Sequence, residues 1–209
     1  MKLLGITRQD KAAFISVFIT GFIAYGFMIT HNFLTYDSTW NLYSDQNMIS
    51  SGRQFLMYAC RISSDYDLPW FNGLLAFFYL AVTSVLLVRL FEIKRTITAV
   101  LMGGFLISFP SVSSTFAYSY TIDGYMLAVF LATLAVFLAQ RYRFGFLTAI
   151  PVLGISLGIY QAYFPYAIVL CISLLAVDLV FEPEFKKIAW KAVHFVIMVF
   201  AAYIFYVVT

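Results

Sequence analysis

The sequence predicts an all-α protein, a polytopic transmembrane helical bundle of about seven spans, and three observations predict it. Hydrophobic residues make up 63% of the 209 residues and charged residues only 11%, with a mean hydropathy of +0.90. A soluble domain carries about a quarter charged residues, so this chain lacks the polar groups to cover a surface in water. The apolar residues fall in runs long enough to cross a bilayer core, which takes about 20 helical residues. Those runs are continuous and do not alternate with period two, which selects helices over a closed barrel.

Taken in order, Lys2, Arg8 and Lys11 precede a first span over residues 12–33. This run is too long for the apolar region of a signal peptide and lacks a small-residue cleavage site. A polar stretch, residues 36–67, comes next. The second span, residues 68–88, opens with Pro69 and Trp70, a helix-start proline beside an interfacial aromatic. After a charged turn with Arg89, Glu92, Lys94 and Arg95, a third span starts at Thr96 and kinks or ends at Pro110. Residues 111–123, rich in Ser, Thr and Tyr, read as a short outer loop, and a fourth span runs to Ala139. A fifth span (145–160) passes through a tight, chargeless connection around Gln161 into a sixth that ends near Val180. Glu182, Glu184, Lys186, Lys187 and Lys191 form a polar loop, and a seventh apolar run starts near Val193. The expected organisation is one transmembrane domain over 1–209.

Lysine and arginine near span ends set orientation. With the N-terminus inside, eleven of the thirteen cations lie on inner segments, and only Arg53 and Arg61 lie outside. The outer segments instead collect Asp37, Asp45, Asp65, Asp67 and Asp123. The two cysteines, Cys60 and Cys171, have no metal-ligand or disulfide-framework spacing and read as small apolar residues. No metal and no cofactor is called for, and membrane lipid, not nucleic acid, is the expected surroundings.

The first outer loop holds the main candidates. Asp37 lies just beyond the first span, where a carboxylate can take a proton from a hydroxyl at the lipid–water boundary; it can equally cap a helix or sit in water. Residues 45–62 have helical periodicity, with Met48, Ile49, Gly52, Phe55, Leu56, Ala59 and Cys60 on one face and Ser50, Arg53, Met57 and Arg61 along another. This predicts a short helix lying in the interface. Arg53 and Arg61 suit a phosphate or diphosphate through the guanidinium fork, or they pair with Asp45, Asp65 or Asp67, or with an ordinary lipid phosphate. Asp123 reads first as a helix N-cap, and otherwise as a contact for the same ligand. Tyr120 belongs with an aromatic belt that also includes Tyr118, Tyr160, Tyr163 and Tyr166, although tyrosines also stack on sugars. Gln161 reads as a turn residue facing headgroups, with hydrogen bonding to a sugar as the other possibility. His31 reads as a satisfied interfacial residue, and His194 carries no evident chemistry.

The order of these features, a span, then Asp37, Ser50-Ser51-Gly52-Arg53 and Leu68-Pro69-Trp70, resembles the membrane glucosyltransferases of the Gtr type II family. Phe109-Pro110, Asp123-Gly124-Tyr125 and Gly158-Ile159-Tyr160-Gln161 support the resemblance along the rest of the chain. It implies a GT-C-like fold and transfer of a sugar, glucose, from a polyprenyl-phosphate carrier to a cell-surface glycan. The acceptor implied is the O-antigen of lipopolysaccharide, reached on the outer face of the bacterial inner membrane. It further implies Asp37 as general base and Arg53 as a contact for the donor phosphate, with Arg61, Asp123 and Tyr120 as further substrate contacts. Two departures are visible: Ser38 follows Asp37 where the family often has a second acid, and Gln54 follows Arg53 where an aromatic is common. Family members are longer, and the apolar end of the chain leads to the expectation that residues 1–209 are the front part of a longer protein. The competing readings are a transporter or flippase for lipid-linked sugars and a structural membrane subunit. Against the first stands the shortage of charged residues within spans.

Overall fold

The computed structural model describes residues 5–31, 49–62, 68–181 and 184–209. Among these residues every regular element is helical. The elements are α1 (Arg8–Thr30), α2 (Leu56–Cys60), α3 (Pro69–Leu90), α4 (Thr96–Ser108), α5 (Pro110–Thr115), α6 (Ile122–Arg141) and α7 (Gly145–Ile159). A 3₁₀ turn (Gln161–Tyr163) then leads into α8 (Phe164–Phe181), and α9 (Phe185–Val208) closes the chain. Helices α1, α3, α6, α8 with its 3₁₀ lead-in, and α9 are long and apolar enough to cross a membrane, while α4 and α7 are shorter apolar helices. The seven apolar runs of the sequence therefore appear as seven helices in the expected order. Many of their large apolar side chains face outward, Ile23 at 82% and Phe181 at 77% exposure among them. Water would penalise such a surface, and lipid would not.

The contacts divide the chain into two compact units, one formed by the chain before residue 48 with Tyr58–Leu127, the other by Met48–Met57 with Ala128–Thr209. In the first unit α1 packs along α3 and α4. Its start is a capping box: the Asp10 backbone N–H donates to Thr7 Oγ1 at 3.1 Å, and the Thr7 N–H donates to Asp10 Oδ2 at 2.9 Å. Asp10 is only 2% exposed and also takes the Arg89 guanidinium at 2.8 Å from the last turn of α3. Fully buried Phe77 lies beside Tyr25 and Phe116, whose rings stack 4.0 Å apart, and the Tyr25 hydroxyl donates to the Ile107 carbonyl at 2.9 Å. Gly103 lets α4 approach the α1 backbone at Ala13, since a Cβ there would lie 2.5 Å from the Ala13 carbonyl oxygen. Small residues at such crossings are what bring membrane helices close.

Pro110 acts as the sequence predicts. Phe109 is extended with ψ of 136°, as a residue before proline prefers, and Pro110 starts a new helix at its first position. Residues 111–123 are not simply a loop, however: α5 carries the chain to Thr115 and α6 begins at Ile122. A second correction concerns the seventh span. Helix α9 starts at Phe185, so Lys186, Lys187 and Lys191 stand on its first turns and not in a loop. Charged residues at a span's end keep their heads in water while the helix continues, so polarity alone misplaces the boundary.

In the second unit α7 packs against α9. Phe205 fills the space above Gly154, and Phe146 stacks on His194 at 4.6 Å. Ser156 donates to the Ala128 carbonyl at 2.7 Å, and the hydroxyls of Thr133 and Tyr166 share a hydrogen bond of 2.8 Å. Asp178 on α8 pairs with Lys191 on α9. These polar side chains of the second unit are thus satisfied by neighbouring backbone and side chains, as a low-dielectric interior requires.

Candidate functional site

The best-organised polar feature of the second unit is the turn that carries Arg53. Ile49 accepts from the Gly52 N–H at 2.9 Å, and Gly52 takes φ of +74°, a left-handed conformation open mainly to glycine. The reversal breaks the helix predicted over 45–62, leaving only Leu56–Cys60 helical among the described residues of that stretch. The single strip joining Arg53 to Arg61 is thereby corrected. Arg53 stands in the turn before α2 and belongs to the second unit, whereas Arg61 lies exposed after α2 in the first.

Gln161 and Tyr206 lock this turn. Gln161 Nε2 donates to the Ser51 carbonyl at 3.1 Å, to the Gly52 carbonyl at 2.6 Å and to the Tyr206 hydroxyl at 2.8 Å. The Tyr206 hydroxyl donates in turn to the Gly52 carbonyl at 3.1 Å. Gln54 Nε2 donates to the Tyr206 carbonyl at 3.0 Å, and the Phe55 N–H donates to the Gly158 carbonyl at 2.8 Å. A Cβ at Gly52 would run into Gln161 and Tyr206, and one at Gly158 into the Phe55 ring. Arg53 itself is half-buried, and its Nε–H donates to Ser51 Oγ at 2.9 Å. A guanidinium is a planar fork of donors, and on a locked backbone it can meet two oxygens of a tetrahedral phosphate at once.

In the first unit a polar cluster surrounds the start of α6. Asp123 lies in the first helical turn, not at the cap, and is 1% exposed. A carboxylate there is favoured by the helix dipole. Its charge reaches Cys60 at the end of α2 and Tyr79 on α3. Burial pushes the Cys60 thiol well above its ordinary range, and the Asp123 carboxylate adds to the rise. Asn72 and Thr121, each 1% exposed, complete the cluster. Asn72 Nδ2 donates to the Ser119 carbonyl at 3.1 Å, while Asn72 Oδ1 and Thr121 Oγ1 have no hydrogen-bond partner among the described residues. Tyr120 is partly exposed on the turn before Thr121, and its ring meets Tyr118 edge-on at 6.3 Å.

Asp37 lies outside the described residues. Of the other sequence-predicted residues, Asp123, Tyr120 and Arg61 belong to the first unit, and Arg53 stands in the second. His31 is satisfied as expected, its Nδ1 lying 3.0 Å from the Phe27 carbonyl. Gln161 was read as facing headgroups, yet its amide is spent on the arginine turn. Neither that lock nor the Asp10–Arg89 pair was foreseen. The Thr7-to-Asp10 spacing is a capping-box signature and would have flagged Asp10 as structured. Tyr206 carries no local signal, because its partner lies 154 positions away.

Fold and site together define a polytopic helical membrane protein with an arginine presented on a locked turn. Residues 26–209 match the family model described as Glucosyl transferase GtrII, and the chain belongs to that glucosyltransferase family. No curated protein matches it, and neither does any solved structure.

Proposed function

We propose that the chain takes glucose from a polyprenyl-phosphate carrier and transfers it to a cell-surface glycan such as O-antigen, on the outer face of the bacterial inner membrane, within a GT-C-like fold. The observation that carries this reading is the Arg53 turn. Three separate stretches of the second unit meet at the turn that carries Arg53, in a chain whose family transfers glucose. In the proposed reaction an acceptor hydroxyl attacks the anomeric carbon of the donor, and the bond from that carbon to the phosphate oxygen breaks. Asp37 accepts the hydroxyl proton, and the lipid phosphate departs with the electron pair. Arg53 offsets the charge that grows on the leaving oxygen, an electrostatic contribution of about 3 kcal/mol in comparable sites. The excess of lysine and arginine on the other loops supports an outward-facing first loop.

The test uses proteoliposomes with radiolabelled polyprenyl-phosphate glucose and a glycan acceptor. Asp37→Asn is expected to lower transfer by at least about a hundredfold with donor binding retained. Arg53→Ala is expected to raise the KM for donor more than that for acceptor. Transfer at the unmodified rate by Asp37→Asn would remove the general base from the scheme.

A further inference from the structure

We propose that the second unit seats an anionic glycerophospholipid at the end of α9 opposite the Arg53 turn. A cavity of about 900 Å³ opens where the end of α6 and Asp178 of α8 meet the start of α9. Lys191 pairs there with Asp178, and Lys187 with Glu184 at 2.8 Å. Arg141, Arg143 and Lys186 also line it, so among the described lining residues five cationic side chains face two carboxylates. Trp190 and Tyr142 stand at its rim, 60% and 49% exposed, in the manner of aromatics at a headgroup boundary.

This cavity adjoins a second space of different chemistry. An almost wholly apolar groove of about 520 Å³ runs between α8 and α9, lined by Ile168, Leu175, Val199 and Tyr203 among others. Phe195 lines both spaces, so the polar cavity and the apolar groove meet at one side chain. A free phosphate satisfies the first and leaves the groove empty. A zwitterionic lipid fills the groove and gains little from the cationic excess. An anionic phospholipid satisfies both, its headgroup phosphate beside Arg143 and Lys186 and an acyl chain along α8 and α9. Basic pockets between transmembrane helices bind anionic headgroups in this way.

The seat is distinct from any donor site at Arg53. Tyr206, which holds the arginine turn, stands 20 residues along α9 from Lys186, about 30 Å at helical rise. That is the thickness of a bilayer core, so the two sites face opposite leaflets. The ligand drawn from the far leaflet is the bulk anionic lipid.

Native mass spectrometry of the detergent-solubilised chain tests this with phosphatidylglycerol, phosphatidylcholine, polyprenyl phosphate and inorganic phosphate as probes. Phosphatidylglycerol is expected to be retained in preference to phosphatidylcholine. Arg143→Gln and Lys186→Gln should each weaken it about fivefold, the worth of one basic residue at an anionic surface. Val199→Trp should displace it by filling the groove. Equal retention of both glycerophospholipids, displacement by equimolar inorganic phosphate, or preference for polyprenyl phosphate would each overturn the proposal. These comparisons are made on the unmodified chain and stand even where a variant fails to fold.

Discussion

Gly52 concentrates two constraints in one residue: a positive φ and a space already filled by Gln161 and Tyr206. A side chain there costs about 1–2 kcal/mol in backbone conformation alone, before the collision is counted. Gly52→Ala should therefore lower glucosyl transfer at least about tenfold through the donor KM, while the helices remain folded by circular dichroism. Tyr206→Phe removes one hydroxyl that both donates and accepts, and about 1 kcal/mol of positioning is expected to go with it. Its effect on KM should be the milder of the two, and a reversal of that order would count against the lock. Cys60 offers a separate check on the first unit. With its thiol pushed up by burial and by Asp123, the thiolate fraction is small at neutral pH and grows only as pH climbs. In a Cys171→Ser background, maleimide labelling of Cys60 should be slow near neutrality and should accelerate in Asp123→Asn. Equal rates in the two chains would show that access, not charge, governs the thiol.

At the scale of elements, the boundaries that proline marks were legible, and those set by charge were not. Pro69 starts a helix and Pro110 ends the third span where the sequence places them, because their fixed φ and missing N–H act locally, although Pro110 also opens α5 where the sequence predicts a loop. The start of α9 was misplaced by eight residues because lysines at a helix end look like loop residues in a composition count. The five-residue α2 was overextended because periodicity cannot report the reversal at Gly52. Arg89 and Asp10 show what no local reading supplies, since they join the end of α3 to the start of α1 across 79 positions. Arg89→Met leaves a buried carboxylate without its cation and should cost about 2 kcal/mol, Arg89 being a third exposed. The double change Asp10→Leu with Arg89→Met should recover much of the loss in thermal midpoint, because an apolar pair needs no desolvation. A double variant no better than the single would show that the capping box, not the ion pair, carries the stability.

For the whole molecule the strongest signal is compositional, and it was read correctly because lipid imposes it on every span at once. Seven apolar runs became seven helices, and the family match over residues 26–209 agrees with the resemblance carried by the first loop. The candidate site was less legible. Its sequence motifs mark where Arg53 stands, but the side chains that hold its turn come from residues 161 and 206 and are joined to it only by folding. Orientation remains a property to measure. Single cysteines at Ser119 and Arg143, in a chain lacking Cys60 and Cys171, should divide under a membrane-impermeant maleimide applied to spheroplasts. Labelling at 119 with protection at 143 is the expected pattern, and the opposite pattern would overturn the topology that the lysines and arginines predict.

The lock on the arginine turn also has a timetable. Gly52 leaves the ribosome 154 residues before Tyr206, an interval of about 10–30 s at ordinary rates of synthesis. Gln161 follows Gly52 by 109 positions and Tyr206 by 154, so the turn is first unheld and then half held until Tyr206 is made. The turn therefore stays incomplete while α9 is still being made. The lock is complete only with α9, and not with the stretch that bears Arg53.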